Sequence, residues 1–105
     1  MPIKAQTFGE IIRAVREKKK LTLQQMASEV GLDTSLLAKL EKNQRKPSDD
    51  NITQIAKTIG VSEKILRTAV LSDEVAQRIA DEEVNAKEVL AVAEEKIKYI
   101  KRRKH

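Results

Sequence analysis

The sequence has no cysteine, and its single histidine is the last residue, His105. The lack of cysteine excludes a disulfide scaffold, a thiolate metal cluster and a cysteine nucleophile, and a histidine-based catalytic or zinc site is not expected either. The only aromatic residues are Phe8 and Tyr99, which are too few for a platform that stacks single-stranded bases. We therefore expect no enzymatic activity and no bound cofactor or metal ion.

Long apolar runs are also missing. The longest is Val89–Ala93, five residues, whereas a membrane-spanning helix needs about 20. The N-terminal residues 1–4 lead into no apolar stretch, so we expect no signal peptide. These absences predict a soluble, cytoplasmic protein without a membrane partner. The length of 105 residues and the 40% hydrophobic content fit one compact domain with an appendage.

The net charge of +5 is distributed unevenly along the chain. Residues 1–70 contain 13 Lys and Arg but only 8 Asp and Glu. Residues 71–95 contain 2 basic and 8 acidic residues, and residues 96–105 contain 6 basic residues and no acid. A basic front segment fits a polyanion such as nucleic acid, although solubility alone would explain the same charge equally well.

The apolar residues recur with helical spacing throughout, and capping signals locate the ends of the helices. Thr7 with Glu10 and Thr22 with Gln25 form capping boxes, in which hydroxyl and carboxylate or amide groups satisfy the first backbone N–H groups of a helix. Gly31 provides the left-handed residue that ends the second helix. The expected helices cover about 8–18, 23–30, 34–42 and 49–59, a short one after Ser62, another from Ser72, and a last one over 82–102.

The second and third helices, joined by a short turn, have the spacing of a helix-turn-helix. Matching residues at fixed spacing continue over about 7–68, and comprise Phe8–Arg13, Val15–Lys18, Leu21-Thr22, Met26-Ala27, Val30–Leu32, Leu37, Leu40-Glu41, Pro47-Ser48, Ile55–Lys57 and Ile59–Ser62. In these residues the chain resembles the Cro/C1-type helix-turn-helix regulators, also called the Xre family. The resemblance implies an all-α fold, with a lambda-repressor-like five-helix DNA-binding domain over 1–70 and a helical C-terminal extension over 71–105.

The resemblance also implies a sequence-specific, double-stranded DNA-binding transcriptional regulator. Thr34, Ser35 and Lys39 lie where such regulators place base-reading side chains, and Leu36 could touch a thymine methyl. The polar, basic loop after the third helix would bind phosphates and fix the register, although taken alone all these positions are ordinary solvated surface. The expected DNA-binding residues are Thr22, Gln25, Thr34, Ser35, Leu36, Lys39, Lys42, Asn43, Gln44, Arg45 and Lys46.

Some positions depart from the family pattern or have a structural role in it. Leu23 replaces a Gln that often contacts phosphate in this family, and Lys20 and Asn43 occupy turn positions that are usually Gly. In the family, the residues corresponding to Arg16 and Glu41 form an ion pair between the first and third helices. The resemblance therefore implies a structural role for these two residues.

The last helix carries an apolar seam with heptad spacing. The seam consists of Ala86, Leu90, Ala93, Ile97 and Ile100, widened by Val89. We expect it to hold two copies together as a homodimer that acts as a repressor or controller on a palindromic operator. Packing of the seam against its own chain is one alternative, and an antitoxin-type or protein-interaction module that binds a partner protein is another. The sequence leaves the operator, the regulated genes, the sign of regulation and any effector open.

Overall fold

The computed structural model describes residues 6–104, which form α-helices and no strand. The all-α fold is thereby confirmed, while the expectations for residues 1–5 and for His105 lie outside the described range. The helices are α1 (Phe8–Lys18), α2 (Leu23–Val30), α3 (Thr34–Glu41), α4 (Asp49–Ile59), α5 (Glu63–Ala80) and α6 (Ala86–Arg103).

Local hydrogen bonds explain why the first helices begin where the sequence predicts. The Thr7 Oγ1 accepts from the Glu10 N–H at 3.1 Å, and the Glu10 carboxylate accepts from the Thr7 N–H at 2.9 Å. The same reciprocal pattern starts α2 and α4. The turns that follow α1 and α3 place Lys20 and Asn43 in the left-handed region, each with φ of 58°.

The C-terminal helices differ from the expectation. The prediction of a new helix at Ser72 was wrong, because Ser72 lies inside α5, which has 18 residues and contains no glycine or proline. The Ser72 hydroxyl does not cap a helix start but donates to the Ala69 carbonyl in the preceding turn at 3.0 Å. The start of the last helix at 82 was also wrong. Asp81 still donates its N–H to Gln77 at the end of α5, and α6 starts after Asn85, whose side chain accepts from the Glu88 N–H at 2.9 Å.

The chain divides into two compact units, of which one ends at Asp73 and the other begins at Glu74. The first unit has an apolar core to which α1 to α4 and the first half of α5 contribute. Its buried residues are Phe8, Ile11, Ile12, Met26, Ala27, Val30, Leu37, Leu40, Ile52, Ile55, Ala56, Ile59, Leu66, Ala69 and Val70. Full burial of a Val, Leu, Ile, Met or Phe side chain stabilises the folded state by about 1.5–3 kcal/mol. The core therefore fixes which face of each helix remains exposed.

The second unit contains no buried residue among 74–104. Most of its large apolar side chains are exposed, on the end of α5, in the turn and along α6. No helix within residues 6–104 is apolar over enough of its length to cross a membrane.

Candidate nucleic-acid interface

The connection between α2 and α3 is a tight turn that places α3 against the core. Gly31 has φ of 81°, and the N–H groups of Gly31 and Leu32 both donate to the Ala27 carbonyl at 2.9 Å. Because the left-handed conformation costs glycine little, the chain reverses here without strain. Helix α3 then buries Leu37 and Leu40 completely.

Burial of one face of α3 leaves its other face in solvent. Thr34, Ser35 and Lys39, the expected base readers, are all exposed and lie on this outer face, whereas Leu36 is half-buried against the core. No acidic side chain pairs with Lys39 within residues 6–104. The structure therefore brings the expected readers together on one accessible surface.

The start of α3 is open, in contrast with the starts of α1, α2 and α4. Asp33 occupies the N-cap position but makes no side-chain hydrogen bond to the helix. The first backbone N–H groups of a helix need acceptors from outside it, and together with the helix dipole they favour an anion. The open end lies next to Thr34 and Ser35, where a phosphate or a base edge would supply the acceptor.

The end of α3 is tied to α1 by a bidentate ion pair. Arg16 donates from Nε and Nη2 to the two carboxylate oxygens of Glu41, at 2.7 and 3.1 Å, and from Nη1 to the Leu21 carbonyl at 2.9 Å. The Glu41 side chain is only 5% exposed and that of Arg16 only 14%. Hydrogen bonding to Glu41 raises the pKa of Arg16. The two parallel bonds of the pair fix the orientation of α3 relative to α1.

Gly9 lies where α1 approaches the backbone of α3 too closely for any side chain. A Cβ atom added to Gly9 would lie 2.6 Å from the Leu40 carbonyl oxygen and would overlap the Glu41 carbonyl oxygen. Sequence reasoning missed this role. The available signal was a glycine inside a helix, which costs about 1 kcal/mol relative to alanine and implies a packing reason.

Asn43 has an internal role that the sequence did not reveal. Its Oδ1 accepts from the Gly9 N–H at 3.0 Å, and its Nδ2 donates to the Thr7 Oγ1 at 2.8 Å. The side chain thus joins the loop after α3 to the start of α1. Asn43 is nevertheless exposed, and its amide keeps a second N–H and a second acceptor lone pair, so its contact with DNA stays a prediction beside this structural role. Asp73, which accepts from the Phe8 N–H at 2.9 Å, completes the cap of α1.

The other expected phosphate-binding residues lie at two exposed places. Lys42, Gln44, Arg45 and Lys46 are exposed in the loop that follows α3. At the start of α2, Thr22 and Gln25 are exposed and joined by their capping box. The capping bonds use the oxygen of the Gln25 amide and leave its NH₂ group available as a donor.

Leu23 cannot make the phosphate contact that a Gln at this position often makes in the family. Its side chain is half-buried and packs against the core. Gln24, which follows it and was not singled out from the sequence, is exposed at the same end of α2. An amide donor is therefore still present beside the position that Leu23 occupies.

We expect Gly9→Ala to lower the free energy of unfolding by about 1–3 kcal/mol, because the new methyl group overlaps backbone carbonyls that cannot rotate away. Gly31→Ala is the matched control. It has nothing within 4 Å of the added Cβ and suffers only the left-handed conformation, about 1–2 kcal/mol. Urea denaturation measures the loss of stability in both variants. A structure of each variant distinguishes the two causes, because only Gly9→Ala should move α1 away from α3. A Gly9→Ala structure with α1 in its original position would contradict the close approach.

Comparisons with known proteins agree with this geometry. Residues 9–72 match a protein-family model described as a helix-turn-helix domain. An uncharacterized HTH-type transcriptional regulator of Mycobacterium tuberculosis is 33% identical over 75 residues, which are 70% of this chain and 54% of that protein. The immunity repressor protein of Bacillus phage phi105 is 30% identical over 87 residues, 83% of this chain and 58% of that protein. The chain spans only a little over half the length of these curated relatives.

Two solved structures are similar in fold. One is the restriction-modification controller protein C.AhdI from Aeromonas hydrophila, with a TM-score of 0.53, 32% identity and coverage of 56% of this chain and 89% of that one. The other is a complex of SinR protein with SinI protein, with a TM-score of 0.54, 26% identity and coverage of 93% of this chain and 98% of that one. The second likeness extends beyond the helix-turn-helix region into the C-terminal helices.

Proposed function

The chain belongs to the Cro/C1-type helix-turn-helix transcriptional regulators, and from this premise we propose that it binds double-stranded DNA sequence-specifically as a cytoplasmic homodimer. One observation carries the proposal. Helix α3 is locked to α1 at its end by the Arg16–Glu41 pair while Thr34, Ser35 and Lys39 remain exposed at its start and on its outer face. A rigid helix with free polar side chains is what insertion into the major groove requires.

The exposed side chains of α3 fit the edges of bases. The Lys39 ammonium is a donor for the O6 and N7 acceptors of guanine, and the hydroxyls of Thr34 and Ser35 can donate or accept. The exposed part of Leu36 supplies apolar surface for a thymine methyl. Of the expected DNA-binding residues, we assign base reading to these four.

Phosphate contacts would come from both sides of α3. We assign this role to Thr22 and Gln25 at the start of α2 and to the exposed loop residues Lys42, Gln44, Arg45 and Lys46. Contacts of this kind fix the position of a protein on the duplex without reading its sequence. Asn43 is exposed in the same loop and keeps a free N–H on its amide, so we propose it as a further phosphate contact that also joins the loop to α1.

The size of one recognition helix supports the proposed homodimer. Helix α3 has eight residues, and each such helix contacts only a few base pairs, whereas a regulatory site must be distinguished from a whole genome. Two copies related by a two-fold axis would read two half-sites about 34–36 Å apart. The names of the phage immunity repressor and of the restriction-modification controller support a repressor or controller role.

Salt dependence of duplex binding tests the proposal. We expect selection from random duplex DNA to yield a palindromic site, and affinity for that site to fall steeply as salt increases. Each phosphate neutralised by a basic side chain contributes about 0.9 to the slope of log K against log salt. A flat dependence, or a selection that converges on no site, would contradict DNA binding through this surface.

Lys39 and Arg45 are expected to behave differently in the same assay. Lys39→Ala should cost about 1–3 kcal/mol at one base position and relax the sequence preference there. Arg45→Ala should weaken binding to all sequences alike and lower the salt slope by about 1. Repeating the selection with each variant measures both effects, and an unchanged preference for Lys39→Ala would show that Lys39 does not read a base.

A second candidate function is binding of a different protein through the C-terminal helices. The observation that favours it is the likeness to the SinR–SinI complex, which covers 93% of this chain. Copurification of the tagged full chain from its native cells distinguishes the two. Recovery of a stoichiometric second protein would support the partner, whereas recovery of this chain alone as a two-copy species would support the homodimer.

A further inference from the structure

Helix α6 presents a continuous apolar stripe that nothing in its own unit covers. The seam residues Leu90, Ile97 and Ile100 are about half exposed, as is Val89 to a smaller degree. The helix is 18 residues long, about 27 Å, and most of the stability of a helix in a protein comes from packing of its apolar face. The stripe therefore needs a second surface.

The charges on α6 are separated into two blocks. Residues 86–95 of α6 contain Glu88, Glu94 and Glu95 and follow a turn with three more acids, so residues 81–95 hold 6 acidic residues and 1 lysine. Residues 96–104 hold 6 basic residues and no acid. Between residues 86 and 104, the ion pair inside the chain is that of Lys98 with Glu95 at 3.5 Å. Glu82 is paired with Arg78 at the end of α5 at 2.6 Å, and Arg103 lies over the Tyr99 ring. The other charges of the two blocks form no further ion pair among residues 6–104 and are available to another molecule.

We propose that the occupant of this stripe is α6 of a second copy, running antiparallel. In a parallel pair the basic block of one copy would lie along the basic block of the other, and like charges in apposition oppose association. In an antiparallel pair each basic block lies along an acidic block. Exposed ion pairs contribute little affinity, so the apolar seam holds the copies together and the charges select the direction.

The sizes of the seam residues favour the same direction. Ala93 lies seven residues from both Ala86 and Ile100 and four residues from both Val89 and Ile97, whereas Leu90 has no seam residue at the matching position. An antiparallel two-fold axis at Ala93 places the small residue where the helices are closest and packs Ala86 of each copy against the larger Ile100 of the other. A parallel pair would instead place alanine opposite alanine and isoleucine opposite isoleucine, with less even filling.

This inference rests on the homodimer proposed above and adds its direction, without using any residue assigned to DNA. Because the chain has no cysteine, single-cysteine variants test it cleanly. After mild oxidation we expect Ala93→Cys to form a covalent dimer by itself. Ala86→Cys alone and Ile100→Cys alone should remain uncrosslinked, whereas an equimolar mixture of the two should crosslink.

The distances explain this pattern. In the antiparallel pair the two copies of residue 86 lie about 21 Å apart, from 14 residues at the helical rise, and a disulfide needs Cα atoms within about 7 Å. Lys98→Cys, which is exposed and outside the seam, is the control for random collision. Circular dichroism of each variant verifies that its helices are retained.

Every other outcome overturns the inference. Self-crosslinking of both Ala86→Cys and Ile100→Cys indicates a parallel pair. The absence of crosslinking in all variants and mixtures indicates no pairing through the seam, and crosslinking of Lys98→Cys at the same rate indicates an unspecific contact. These measurements use no DNA. Loss of the proposed function, seen as duplex binding without salt dependence, would therefore be distinguishable from failure of the antiparallel pairing.

Discussion

Replacing both Leu90 and Ile97 with Asp is expected to make the protein monomeric and to weaken its binding to a palindromic duplex by about 100-fold or more, because two linked recognition helices bind with avidity that a single one lacks. Both side chains lie in the seam of α6, 48% and 51% exposed. Burial of an unpaired carboxylate in the seam costs more free energy than the remaining apolar contacts of the dimer contribute. Light scattering measures the mass, and fluorescence anisotropy measures binding to the palindrome.

The chain offers a closely matched control for this variant. Val92 and Tyr99 have the same seven-residue spacing on the same helix and are 48% and 55% exposed, but they lie outside the seam. Replacing both with Asp should leave the dimer and its affinity intact. Binding to a single half-site should be equal in all three proteins. If the native protein is monomeric at high micromolar concentration, the proposed homodimer is wrong.

Replacing Arg16 with Met is expected to lower the free energy of unfolding by about 3–5 kcal/mol, since removal of one partner leaves the other charge buried and unpaired. The Glu41 carboxylate would lose both of its bonds to the guanidinium, and the Leu21 carbonyl would lose its donor. Urea denaturation measures the loss. The hydrogen bond to Glu41 raises the pKa of Arg16, so on the arginine side the stabilisation is present below the ordinary pKa of arginine and is lost as the pH rises through the raised pKa.

A second arginine–glutamate pair on α1 provides the control. Arg13 and Glu17 are 3.1 Å apart but 60% and 57% exposed, so Arg13→Met should cost only about 0–1 kcal/mol. Combining Arg16→Met with Glu41→Met should recover much of the stability, because it removes the buried charge together with its partner. A variant of Arg16 that unfolds like the native protein and yet loses DNA binding would instead place Arg16 in the DNA interface.

The bounds of α1, α2 and α4 and the family of the chain could be predicted from the amino-acid sequence alone. A capping box such as that of Thr22 with Gln25 joins residues only three apart, and the left-handed turn at Gly31 depends on that residue alone. Interactions within one helical turn can be predicted from the sequence, because helix geometry fixes how far apart the partners lie along the chain. The same reasoning went wrong at Ser72, since a serine can either start a helix or bond back to the preceding turn.

The roles of Gly9, Asn43 and Asp73 depend on contacts between distant parts of the chain and could not be predicted from the sequence. The bond of Asn43 to Gly9 joins residues 34 apart, and that of Asp73 to Phe8 joins residues 65 apart. No local pattern identifies such partners, because the sequence of a basic loop is the same whether its asparagine contacts a phosphate or the start of a helix. The packing of α1 on α3 brings the Gly9 N–H, which has no partner inside the helix, and the Thr7 hydroxyl within reach of the Asn43 amide.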